Sequence, residues 1–236
     1  MTDPLWVTGL RIVHIGAGMT AFFVAPVALA TVKGGKQHRR WGKVYFWMMA
    51  VVALTALVLS VYRPIPFLAL VAVFSFYMAF SGYRVLFRKR PTEGQGAKPL
   101  DWVGSVLILT ASTALIALAA VRPTPVWERM APVALVFGVT GIFFGIRDVL
   151  RFVRPQAEKN FWWFDHMGGM IGSYIAAVSA FSVVNLHFLP PVVRWLWPTF
   201  IGVPAIVIWI RYYRQKFARK DVTVPAQVDL TPRAAH

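Results

Sequence analysis

The chain has 236 residues, 58% of them hydrophobic and only 14% charged, with a mean hydropathy of +0.59. Soluble domains carry about 25% charged residues, so this composition places the chain in the membrane class and suits one compact helical bundle. The formal charge of +16 would suggest nucleic acid in a soluble protein but here follows topology, and the lack of cysteine excludes disulfides, thiolate metal sites and Cys nucleophiles.

In chain order, apolar runs occupy about 9–32, 44–62, 66–87, 102–121, 131–150, 163–188 and 196–212. Each approaches the roughly 20 residues a helix needs to cross a bilayer. The expectation is an all-α polytopic bundle of seven spans forming one domain over residues 1–220. The polar, Pro-containing stretch 221–236 is read as a disordered cytoplasmic tail. Residues 1–32 do not read as a cleaved signal peptide, because Arg11 interrupts a long apolar run that leads into a basic loop.

Lys and Arg set the orientation. Twenty fall in the segments 33–43, 84–98 and 147–159 and in the C-terminal tail, against five on the other side: Arg11, Arg63, Arg122, Arg129 and Arg194. The positive-inside rule then puts the N-terminus outside and the C-terminus in the cytoplasm, as an odd number of spans requires. The implied location is a bacterial cytoplasmic (inner) membrane. The basic face would meet anionic lipid headgroups.

An internal repeat accompanies the spans. Span three ends Gly82-x-Arg84-x-x-x-Arg88 and span five ends Gly145-x-Arg147-x-x-x-Arg151, each followed by Arg-Pro. The next spans open with Asp101-x-x-Gly104 and Asp165-x-x-Gly168. With offsets of about 60 residues, spans 2–3, 4–5 and 6–7 read as three hairpins of like orientation. Basic residues and Pro at helix ends are also what membrane topology selects by itself.

Four histidines are the candidate cofactor or metal ligands: His14 early in span one, His38 in the first cytoplasmic loop, His166 at the start of span six and His187 at its outer end. His236 ends the tail and is given no role. Neutral imidazole suits haem iron, Zn or Cu. Two histidines near each face is the pattern of a two-haem electron carrier, with Gly16, Gly18, Gly168, Gly169 and Gly172 leaving room for a porphyrin. Set beside this are a single haem b or transition-metal site led by His14 and His166 with His38 accessory, and no bound metal at all. In straight helices His14 and His166 lie at opposite faces, so one centre could use both only if a helix, such as span one at Pro26, were bent. Small residues four apart are in any case ordinary helix packing in membranes.

Asp165 is read as a helix N-cap, because Asp101 holds the matching place in the repeat without a histidine after it. Asp148 is expected to pair with Arg147 near the cytoplasmic interface. Trp41, Trp47, Trp102, Trp127, Trp162, Trp163, Trp195 and Trp197 read as an aromatic belt. His-Glu-x-x-His, Gly-x-Ser-x-Gly, Walker and dinucleotide motifs do not occur. The competing classes are a small-solute carrier, motivated by the repeat and by Ser173, Tyr174, Ser179, Ser182 and Asn185 along span six, and a non-catalytic scaffold.

The first cytoplasmic loop reads His38-Arg39-Arg40-Trp41-Gly42-Lys43-Val44-Tyr45, after a first span with Leu10-x-x-x-His14-x-x-x-Gly18. A later span carries His166 and Gly-Ser-Tyr-Ile-Ala-Ala-x-x-Ala-Phe. This set resembles an uncharacterised bacterial multi-pass membrane family, domain of unknown function 2306, over most of spans one, two and six. The resemblance implies an all-helical inner-membrane bundle with no established activity. It singles out His14, His38, Gly42, Tyr45 and His166 as positions to test. His187 is not part of the shared pattern.

Overall fold

In a bilayer core every backbone N–H and C=O must be satisfied within the protein, which leaves helices as the natural solution for apolar runs of this length. The computed structural model describes residues 3–154, 158 and 160–223, with the side chains of 220–223 excepted. Among these residues there are seven long helices and no strand. They are α1 (Leu5–Ala30), α2 (Lys36–Tyr62), α3 (Pro66–Arg84, continued by a 3-10 turn Val85–Phe87), α4 (Pro99–Val121), α5 (Pro125–Val153), α6 (Phe161–Asn185) and α7 (Pro191–Thr223). All seven are long and apolar enough to cross a membrane. Four of them begin on proline, whose fixed φ and missing N–H suit the first helical position.

α2, α4, α5 and α7 exceed the predicted apolar runs, α2 and α7 most of all at the basic end, whereas α6 stops at Asn185, short of the expected 188. Thus α2 begins at Lys36, so His38 lies in its first turn and not in a loop. Long basic side chains cover apolar stem surface and carry their charge outward, so a helix can continue past the hydrocarbon. The connection left is Thr31–Gly35, turned by Gly34 at φ 76°. α7 runs unbroken through Pro198 and Pro204 to Thr223, so the beginning of the expected tail is helical. Residues 224–236, with His236, lie outside the described residues.

α3 and α6 form the centre of the bundle. α3 packs on α2, α4 and α6, while α6 adds α7 and the edge of α1. Their contact is backbone on backbone: a Cβ at Gly169 would stand 2.7 Å from the Gly82 Cα and 2.8 Å from the Met78 carbonyl oxygen. These glycines are therefore spent on helix packing and leave no porphyrin face at Gly169. Gly172 meets the end of Met78 in the same way, whereas Gly168 faces open space. α5 seats α4 on a second small stripe, Gly138, Gly141 and Gly145, which meets Ile116, Ser112 and Leu109.

Large apolar side chains such as Ile12, Val106, Phe143, Phe200 and Ile208 point outward, as a lipid-facing surface requires. Trp6, Trp47 and Trp102 share that exposure. Trp127 and Trp195 do not belong to an aromatic belt: both are buried, stacking edge-on against Phe67 in the core of α3, α4, α5 and α7.

The repeat acquires a physical meaning. Arg84 donates twice to the Asp101 carboxylate, both at 2.9 Å, with Arg88 at 3.9 Å. Arg147 stands 3.8 Å from Asp165, and Arg151 pairs with the same carboxylate. Each Gly-x-Arg-x-x-x-Arg end is thus pinned to the aspartate opening the next helix, joining α3 to α4 and α5 to α6. Asp101 also accepts the Lys98 N–H at 2.8 Å, as the expected cap. Asp165 does not cap: α6 starts four residues earlier, and the carboxylate is taken by α5. Asp148 pairs with Arg147 at 3.4 Å as expected, and also accepts from Tyr77 (2.8 Å) and Ser81. At the opposite end Asp3 neutralises Arg11 (2.5 Å) and Arg63 (2.8 Å).

Candidate functional site

The histidines fall in three separate environments. His38 donates its Nδ1–H to the Ala28 carbonyl across the α1–α2 turn at 2.9 Å. His166 donates its Nδ1–H to the Gly82 carbonyl of α3 at 2.8 Å. The two rings lie 6.1 Å apart, nearly perpendicular at 80°. A carbonyl can only accept, so each neutral imidazole carries its proton on Nδ1 and keeps a lone pair on Nε2. Fixing one ring nitrogen on a backbone carbonyl is how ligating histidines are held in tautomer and orientation.

Both rings line one cavity of about 180 Å³ between α1, α2, α3 and α6 at the basic end. Its walls are largely apolar, built from Ala25, Leu29, Tyr83, Phe87, Met170 and Tyr174. His38, Arg39, Gly42 and Tyr45 line it together, which the spacing i, i+1, i+4, i+7 explains as one face of a helix. Tyr45 is buried and donates to Ser173 of α6 at 2.9 Å, bracing α2 against the helix that carries His166.

His14 is elsewhere. Its Nδ1–H donates to Thr55 Oγ1 at 2.8 Å, while that hydroxyl donates on to Val51 at 2.7 Å. It borders a different cavity, of about 290 Å³, shared with Asn185 and Trp195. Ala28, the acceptor of His38, lies fourteen residues beyond His14 on the same helix, or about 21 Å along its axis. α1 runs through Pro26 without ending, so His14 and His166 do not converge. His187 lies beyond the end of α6, where its Nδ1 accepts from Arg194 at 3.3 Å, and is not paired with His14. The structure therefore brings together His38 and His166 and leaves His14 and His187 apart.

Among the described residues no three His, Cys, Asp or Glu side chains converge to hold a metal ion. The serines of α6, Ser173, Ser179 and Ser182, are wholly buried, and the Ser179 hydroxyl has no hydrogen-bond partner among the described residues. Ser173 lies against Tyr45 and Ser182 accepts from Trp197 at 2.8 Å. Outside the spans, burial lowers the Arg88 pKa, opposed by Asp101 and Asp148, but a guanidinium stays charged regardless. Two features escaped the sequence reading. One is the glycine stripe of α5, whose small-residue spacing was visible. The other is the meeting of His38 with His166, which no local pattern encodes.

Residues 11–97 match the family described as Predicted membrane protein (DUF2306), covering most of α1, all of α2 and α3 and the loop that follows. The match includes His14 and the His38–Tyr45 motif, and His166 lies outside it. No curated protein and no solved structure matches the chain.

Proposed function

We propose that this membrane protein is a histidine-centred redox component, with His38 and His166 as the two protein ligands of one transition-metal ion. The observation that carries this is the pair of Nδ1-anchored imidazoles on one cavity, which leaves both Nε2 lone pairs for a shared Lewis acid. Imidazole suits copper and iron, and such an ion would supply one-electron chemistry. A cavity of about 180 Å³ accommodates an ion with a small ligand. It falls below the roughly 300–1,000 Å³ of sites for larger organic ligands, so it does not fit a porphyrin, and the haem b version gives way to a bare ion. His14 and His187 have no part in this site. The excess of Lys and Arg supports an N-terminus outside in a bacterial cytoplasmic membrane, and the chain is read as a single domain over residues 1–220.

The carrier reading expected an accessible polar cavity along α6; Ser173, Ser179 and Ser182 there are wholly buried, which weighs against it. The test is metal analysis and a visible spectrum, with and without dithionite, of protein purified in mild detergent from metal- and haem-replete cells. About one copper or iron per chain is expected, lost in His38→Ala and in His166→Ala and kept in His14→Ala and His187→Ala. A colourless, metal-free preparation would refute the proposal. A haem absorption band lost in the same two variants would restore haem b in place of the bare ion.

A further inference from the structure

Another cavity, of about 570 Å³, is a groove between α5, α6 and α7 floored by α3, sharing no lining residue with the histidine cavity. α5 and α7 touch little, so the groove opens sideways toward the lipid. Its walls are apolar, with Phe137 and Ile175 inside and the exposed Phe143, Val203 and Val207 at the lipid-facing edge. Gly168 and Gly172 line it from α6, and a Cβ at Gly168 would meet nothing within 4 Å. Its basic-end mouth holds Arg147, Arg151 and Arg214 against Asp165 and Glu158.

Length and charge identify an occupant. From Arg147 to Val136 is eleven residues of α5, and from Arg214 to Thr199 is fifteen of α7. At 1.5 Å per residue these are about 16 and 22 Å, between the roughly 15 Å of hydrocarbon in one leaflet and the roughly 22 Å that includes its headgroup region. The mouth thus sits at headgroup level and the blind end near the bilayer centre. The Arg147 Nε is buried without a hydrogen-bond partner, and its guanidinium lies 4.5 Å from the Phe144 ring at the edge of the groove. Arg214, the most exposed of the three, holds Glu158 only loosely at 3.5 Å and can turn to another acceptor.

We propose that this groove is a binding site for one anionic glycerophospholipid of the leaflet at the basic end. An acyl chain lies along Gly168 and Gly172, and the phosphate lies at Arg147 and Arg214. The site is independent of the metal proposal and stands or falls separately from it.

The experiment is native mass spectrometry of the full chain released from nanodiscs of equal phosphatidylglycerol and phosphatidylcholine. The wild type is expected to retain one phosphatidylglycerol per monomer, several-fold over phosphatidylcholine. Gly168→Leu and Val207→Trp, which fill the groove from its α6 wall and from its lipid-facing edge, lose it. Arg147→Gln/Arg214→Gln retains lipid without preference between the two. Equal retention of both lipids by the wild type overturns the proposal, as does undiminished phosphatidylglycerol in both filling variants. Displacement of the lipid by millimolar inorganic phosphate would make this an anion site without a chain and also overturns it. A dimer lost on filling the groove would assign the groove to a second copy.

Discussion

Gly168 and Gly169 are adjacent on α6 and chemically identical, yet substitution by alanine should have opposite consequences. At Gly169 the new methyl would lie 2.7 Å from the Gly82 Cα, 2.8 Å from the Met78 carbonyl oxygen and 2.9 Å from the Gly82 nitrogen. All three are backbone atoms of α3, so no side chain can rotate away and the two central helices must separate. Overpacking of this kind costs about 1–3 kcal/mol, roughly a five- to 150-fold fall in the folding equilibrium. At Gly168 the methyl meets nothing, and the better helix propensity of alanine contributes up to about 1 kcal/mol in the other direction. Gly172→Ala should fall between, because it meets only the mobile end of Met78. The assay is reversible unfolding in mixed micelles with rising dodecyl sulfate, followed by tryptophan fluorescence. Equal midpoints for the Gly168 and Gly169 variants would refute the α3–α6 contact, and with it the anchoring of His166 on Gly82.

Three further outcomes are expected. Asp101→Asn should destabilise by up to about 3 kcal/mol, since it strips Arg84 and Arg88 of their shared carboxylate; the same micelle titration reads it, and a change below about 0.5 kcal/mol would show that the ion pair is only decorative. Tyr45→Phe should cost about 1–3 kcal/mol by leaving the buried Ser173 hydroxyl without its donor, whereas Tyr62→Phe, on a half-exposed ring at the other end, should change little. Trp195→Ala should cost about 3–5 kcal/mol as a core residue against Phe67 and Phe137, while Trp47→Ala, facing lipid, should cost far less; equal losses would return Trp195 to the membrane surface.

The sequence by itself determined the number of spans and the bias of basic charge, because hydropathy and charge add along the chain and need no knowledge of neighbours. It also exposed the Arg-x-x-x-Arg and Asp pattern, though not that each aspartate binds the preceding helix end; for Asp165 the cap analogy with Asp101 failed, because helix starts depend on a few local residues. The His38–Tyr45 spacing showed one helical face once α2 was known to begin at Lys36. What only the tertiary structure decided was which faces meet. His166 reaches His38 because α6 packs into the centre against α3 and brings the start of α2 alongside, a contact between residues 128 apart in sequence. His14 misses both because about 21 Å of rigid helix separates it from Ala28, a separation that no side-chain rearrangement can close.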